Sequence, residues 1–207
     1  MEEIRSFIKN GGKYLGSCSG AYLPLSASKD SEENRMWLNV VKATEDYGLN
    51  YQRTGTGLVR INLSETNPIT FGIAYGKNPR IDVIYWDGPI FNVDSSDATS
   101  TMKEPLKGKV AILGNYGSFI ASGIEPPSFD LSINQITKDM MMWNNPLTME
   151  RFNKYMLNRP TIIYSSYFKG KLILFSFHPE FGYAISNYEE DINHLFILNS
   201  IYELFSS

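Results

Sequence analysis

The chain has 207 residues, 43% of them apolar and 20% charged, with a formal net charge of −3. These values suit a single globular domain over residues 1–207 and leave no strongly basic face for nucleic acid or an anionic membrane. One cysteine excludes an internal disulfide framework and a multi-cysteine metal site, and two histidines exclude an all-histidine zinc site.

The expected elements begin with a helix over Met1 to Asn10, where Ile4, Phe7 and Ile8 share one face. This acidic, amphipathic start does not read as a signal peptide, and no apolar run approaches the roughly 20 residues that span a bilayer. A cytoplasmic protein is the expectation. Gly11-Gly12 ends the helix. A short strand, Lys13 to Leu15, then runs into Gly16-Ser17-Cys18-Ser19-Gly20-Ala21-Tyr22.

A lone cysteine with glycines two residues before and two after is the pattern of a nucleophile elbow, a strand, a sharp turn and a helix. Such a turn brings main chain close to main chain, so the neighbours of the nucleophile must be small. Cys18 would then stand at the positive end of the next helix, where a thiol loses its proton more readily. A second reading of the same stretch is a buried, inert thiol. Pro24 should stop or kink the helix early.

Ser26 to Asn34 is polar and loop-like, and Met36 to Val41 fits either strand or helix. Three strands are expected at Leu58–Leu63, Ile69–Tyr75 and Ile81–Trp86, punctuated by Gly and Pro in a spacing that favours antiparallel or meandering pairing. Asn62-Leu63-Ser64 matches a glycosylation sequon, a triplet short enough to arise by chance. Asp94 to Pro105 reads as loop, Val110 to Leu113 as a buried strand and Ser122 to Ser128 as irregular. Three consecutive methionines at 140–142 beside Trp143 suit plastic core filling better than a binding surface. A helix is expected over Leu147 to Leu157, closed by Arg159-Pro160.

Strands at 161–167 and 171–177, joined at Lys169-Gly170, predict a hairpin. Ser186 with Glu189 and Asn187 with Glu190 fit capping boxes, and a final helix should reach about Leu204 with Ile192, Leu195, Phe196 and Ile201 buried. His194, inside it, reads as structural or exposed.

His178-Pro179-Glu180 follows the hairpin, at a strand end where catalytic groups gather in open α/β sheets. In an extended backbone Glu180 leaves on the same side as His178. A carboxylate there holds one imidazole nitrogen and leaves the other for a thiol, the parts needed for acyl transfer through a thioester. A histidine that only bonds a backbone carbonyl is the structural alternative.

The two motifs together, Gly16-Ser-Cys18-Ser-Gly20 and His178-Pro-Glu180, resemble the class I glutamine amidotransferase superfamily. The stretches 11–22, 55–63, 85–91 and 169–181 are similar to one branch, the domain at the N-terminus of eukaryotic biotin-protein ligases, also found as stand-alone microbial proteins. The resemblance covers almost the whole chain. It implies an α/β, flavodoxin-like three-layer sandwich with a mostly parallel central sheet and a smaller antiparallel region. It implies Cys18 as nucleophile, His178 as base and acid, Glu180 as orienter, and the backbone amide of Ser19 as an oxyanion donor. Tyr22 and Asp87 are the weaker expectations for substrate binding. No metal and no cofactor is implied.

In that superfamily the elbow follows several strands, whereas here it begins at residue 16. The chain is then a fragment, a shortened relative, or a protein whose sheet is completed by a partner chain or a homo-oligomer. No ligase domain follows, so ligase activity does not carry over. The expected activity is a cysteine hydrolase acting on a small-molecule amide, without nucleic acid or membrane. The alternatives are a non-catalytic regulatory or binding module that keeps the fold, and a gene fragment without independent function.

Overall fold

A computed structural model describes residues 1–26, 37–45, 54–64, 67–73, 79–103, 106, 108–122, 145–180 and 192–206. In chain order the helices are α1 (Glu2–Lys9), α2 (Ser19–Tyr22), α3 (Met149–Tyr155) and α4 (His194–Phe205). The strands are β1 (Lys13–Ser17), β2 (Thr44–Glu45), β3 (Thr56–Leu63), β4 (Arg80–Trp86), β5 (Phe91–Asn92), β6 (Ala98–Thr99), β7 (Val110–Ser122), β8 (Pro160–Tyr167) and β9 (Gly170–Phe175). Among the described residues no helix is long and apolar enough to cross a membrane.

One seven-stranded sheet runs in the order β1-β9-β8-β7-β3-β4, with β6 beside β7, and β2 pairs separately with β5. Only β1 with β9 and β6 with β7 are parallel. All other pairs are antiparallel. The flavodoxin-like sandwich is therefore not the fold: the sheet is mixed, mainly antiparallel and curled into a half-barrel. The local reason is clear at β8 and β9, which are joined by a turn at Phe168-Lys169 too short for the helical crossover that parallel neighbours need.

The curl has a cause in β7. Its first half pairs with β8 and its second half with β3, with register shifts at Ile112/Gly114 and Gly114/Asn115 on one side. On the other side the shifts fall at Leu58/Val59 and Arg60/Ile61 of β3. Each bulge bends its strand and adds twist. The bend carries β4, one end of the strand path, round to the exit of β9. There the His178 N–H donates to the Ile84 carbonyl at 2.9 Å in an isolated antiparallel bridge.

Period-two alternation splits the apolar side chains between two cores. Ile162, Tyr164, Ile173 and Phe175 face the inside of the curl with Val59, Ile61, Val83 and Tyr116, which α3 and α4 cover through Phe152, Phe196 and Leu204. Ile163, Leu172 and Leu174 face the other way, under Ile8 of α1, Ala21 of α2 and the segment Trp37–Ala43.

Several expectations change. Ile69–Tyr75 does not form a strand over its described part: Asn67 caps a 3-10 turn at Pro68–Thr70, its side chain accepting from the Ile69 and Thr70 N–H groups while the Thr70 hydroxyl accepts from the Asn67 N–H. Proline at the first helical position completes that signal. Val110–Leu113 is only the start of the thirteen-residue β7. Residues 37–43 form neither strand nor helix. Ile192 and Ile201, at and within α4, are exposed, not buried. The methionine cluster, the loop after Ser26, the irregular stretch after Ser122 and both capping boxes lie outside the described residues.

One glycine sets the closure. A Cβ on Gly88 would stand 1.9 Å from the Ser176 carbonyl oxygen, whereas a Cβ on Gly20 would meet nothing within 4 Å. Gly88→Ala should therefore destabilise the fold by about 3 kcal/mol or more, the upper end of overpacking costs. Gly20→Ala should fall within about 1 kcal/mol of neutral, on the stabilising side. Equilibrium denaturation of the two variants checks the contrast, and equal losses would contradict it.

Candidate active site

β1 delivers the cysteine. Paired in parallel with β9, it ends at Ser17, and the Cys18 N–H still donates to the Phe175 carbonyl at 3.1 Å. The chain then turns sharply: Cys18 has φ 46° and ψ −115°, a left-handed value that a residue with a Cβ adopts only under constraint. α2 starts at once and stops at Tyr22, two residues before Pro24. The turn is possible because Gly16 lets the backbone of Gly20 approach; a Cβ on Gly16 would lie 2.5 Å from the Gly20 carbonyl oxygen. The Tyr14 hydroxyl donates to that same carbonyl at 2.7 Å. The elbow read from the sequence is present in its geometry.

β9 delivers the histidine. Past its end the chain passes Ser176 and Phe177, and His178 bridges to Ile84. Pro179 and Glu180 then turn in 3-10 fashion instead of extending. The carboxylate still reaches the ring, with His178 Nδ1 2.7 Å from Glu180 Oε1. The Ser17 side chain is a further hydrogen-bond partner of Glu180.

The three residues converge. Cys18 lies close enough to the His178 ring to favour its charged form. The thiol also makes a contact of 3.1 Å with the Trp86 carbonyl oxygen, and its sulfur lies 3.9 Å from the Ser19 hydroxyl. Burial is the largest single influence on His178 and pushes its pKa down, but the bonds and charges of Cys18 and Glu180 together outweigh it and hold the imidazolium up to a pKa of about 9. Glu180 is also disfavoured as an anion by burial, yet the His178 bond and charge keep its pKa below the ordinary carboxylate value.

The exit of β4 forms the opposite wall. The Trp86 ring lies 5.9 Å from the His178 ring, tilted by 44°. Tyr22 and Asp87 do come to this place, but Tyr22 spends its hydroxyl on structure, donating to the Asp87 main-chain carbonyl at 3.1 Å. Asp87 has φ 47°, and its Oδ1 accepts the Gly55 N–H at 3.1 Å. Burial pushes its carboxyl up to about 6, against the opposing pull of the Gly55 N–H and the charge of Arg151.

Beneath the site lies a hydroxyl network that sequence reasoning missed. Tyr116 and Ser176 are 2.6 Å apart, and Ser176 and Thr161 are 2.7 Å apart, all three fully buried. Two buried hydroxyls in neighbouring strands are a weak signal, because their pairing depends on a register that only the folded sheet sets. The carbonyls of Ile84 and Trp86 carry no sequence signal at all.

No family model matches the chain, and no curated protein does. Among solved structures it is similar to a β-galactosidase from Bacillus circulans sp. alkalophilus, with a TM-score of 0.43 and 10% identity. It is also similar to a β-galactosidase from Rahnella sp. R3, with a TM-score of 0.40 and 11% identity. Each likeness covers 98% of this chain and 20% of the other, so the chain spans about one fifth of their length. At these scores the likeness carries neither fold nor activity across, and neither neighbour is titled an amidotransferase or a biotin-protein ligase.

Two outcomes follow from the charges. His178 has a raised pKa in the fold, so its contribution to stability is full below about 6.5, the unfolded value, and is lost as pH rises to about 9. Glu180→Gln should drop the His178 pKa, read by NMR titration of the ring, and flatten the fall in Tm over that window; an unmoved pKa would rule out the pairing. Asp87 also has a raised pKa, but as an acid it loses stability as pH rises toward and through about 6. Asp87→Asn should raise Tm at pH 8 and leave it unchanged at pH 4. A lower Tm at pH 8 would show that the carboxylate is needed as an anion.

Proposed function

We propose that this chain is a cysteine hydrolase acting on an amide of a small molecule, with Cys18 as nucleophile, His178 as acid and base, and Glu180 as its orienter. The observation that carries this reading is the strained cysteine beside an imidazole that a carboxylate holds at 2.7 Å and keeps protonated up to about pH 9. A charged imidazole next to a thiol favours the thiolate, and an acid of that strength can protonate a leaving amine. The two motifs that resemble class I glutamine amidotransferases, and the stretches similar to the domain preceding biotin-protein ligases, support the same reading.

In the proposed reaction the Cys18 thiolate adds to the amide carbon. The oxyanion that forms is met by the Ser19 N–H. His178 gives its proton to the nitrogen, the carbon–nitrogen bond breaks and a thioester remains. Neutral His178 then takes a proton from water, the hydroxide adds to the thioester carbon, the carbon–sulfur bond breaks, and the carboxylic acid leaves with the Cys18 thiolate restored beside the imidazolium. Glu180 stabilises the imidazolium in both halves without itself taking the proton. A cytoplasmic setting, which keeps a lone thiol reduced, belongs to the proposal.

One observation favours the alternative of a non-catalytic module. The 3.1 Å contact between the thiol and the Trp86 carbonyl engages the sulfur with a group that stabilises its protonated form.

Alkylation separates the two. At neutral pH iodoacetamide should label Cys18 at least about tenfold faster than a free thiol. Cys18→Ser should abolish labelling, and His178→Ala should slow it to the rate of an ordinary thiol. Labelling of the native chain no faster than a free thiol would favour the module.

A further inference from the structure

Two glycines flank Cys18, and the fold explains only one of them. Gly16 is required from within: a Cβ there would lie 2.5 Å from the Gly20 carbonyl oxygen, which also accepts the Tyr14 hydroxyl at 2.7 Å. The glycines of the opposite wall are required as well. Gly55 has φ 111°, and a Cβ on Gly88 would stand 1.9 Å from the Ser176 carbonyl oxygen.

Gly20 has neither reason. It lies in the helical turn α2, and a Cβ on it would meet nothing within 4 Å among the described residues. Glycine inside a helix costs about 1 kcal/mol against alanine. Alanine would fit the space and serve the helix better, so neither packing nor backbone conformation accounts for the glycine. A residue that breaks a local rule without a structural return is a mark of function. Glycine is the residue found where a ligand comes close to the backbone.

Helix geometry says what a side chain at position 20 would cover. A helical Cα–Cβ bond tilts toward the start of the helix, so a side chain lies over the turn that precedes its own Cα. The residues that precede Gly20 are Cys18 and Ser19. Ser19 is exposed, and Cys18 and Gly20 are partly exposed, so the described chain leaves this turn open. Ala21, the next residue, faces the second core and is fully buried. The other approaches to the sulfur are walled. The Trp86 carbonyl oxygen stands 3.1 Å from it, and the Trp86 ring lies 5.9 Å from the His178 ring.

We propose that Gly20 is a specificity-determining residue: the molecule that reacts at Cys18 reaches the sulfur across the bare Cα of Gly20, and residue 20 sets the bulk admitted beside the reacting carbon. The inference deepens the hydrolase reading of the same site and rests on it for the substrate being a small-molecule amide.

Two alkylating reagents of one chemistry and different size test it on the purified full chain. Iodoacetamide is small, and iodoacetamidofluorescein carries a large aromatic group on the same amide nitrogen. In both, the sulfur displaces iodide from the same kind of carbon, so the ratio of their rates reads access and not thiol reactivity. Gly20→Leu should lower the ratio, bulky over small, at least about tenfold against the native chain, and Gly20→Ala should lower it about threefold. Gly20→Ala should melt no lower than the native chain, so it carries the test where leucine disturbs the fold. A ratio equal to the native one in Gly20→Ala and in a folded Gly20→Leu would overturn the proposal. A Gly20→Ala chain less stable than the native one would also overturn it, because the fold itself would then need the glycine. Native labelling by iodoacetamide no faster than a free thiol would instead remove the hydrolase reading while the ratio still reported access, so the two failures are distinct.

Discussion

The structure depends on a seam. The curled sheet brings the exit of β4 against the exits of β1 and β9, and three groups seat on three carbonyls there. The His178 N–H meets Ile84, the Cys18 thiol meets Trp86 and the Tyr22 hydroxyl meets Asp87. The seam closes because Gly88 passes over the Ser176 carbonyl with no side chain in the way. Cys18, the His178 imidazole and the short helix after Cys18 are thereby referred to one backbone segment. Side chains placed against main chain vary less in position than side chains placed against each other, because the main chain has few soft torsions.

Burial at the seam sharpens the electrostatics. An isolated imidazolium taken out of water would give up its proton. Here the carboxylate at 2.7 Å and the adjacent thiol reverse that outcome, and the charged form persists up to about pH 9. Glu180 is held as an anion by the same bond, so neither charge is tolerated there without the other. Tyr85, Tyr116, Ser176 and Thr161 extend polar order into the core behind them, each hydroxyl paired at 2.6–2.9 Å. A core that holds hydroxyls in fixed pairs resists the small shifts that would misplace the ring.

The same order reaches the elbow strand. β1, which carries Cys18, pairs along its length with β9. Strain at Cys18 persists only while its surroundings over-determine it. The stiffness of Cys18 thus draws on the packing of the five-residue strand that carries it.

What could be read from the amino acids alone was local. Gly16, Cys18 and Gly20 announced a sharp strand-to-helix turn because backbone sterics act over a few residues. The hairpin at 160–175 and the alternation in β3 and β4 were legible for the same reason. The pairing of His178 with Glu180 follows from a two-residue spacing that tolerates either an extended or a turned backbone. The sense of the sheet was decided elsewhere, by bulges in β7 whose cause is a register between strands far apart in sequence. That register also chose the carbonyls of Ile84 and Trp86 as partners, which no residue type encodes, since every residue has the same carbonyl. The helix at 194–205 shows the limit most plainly: apolar residues lie on more than one of its sides, and only the tertiary fold selects the side of Phe196, Ser200 and Leu204 for burial.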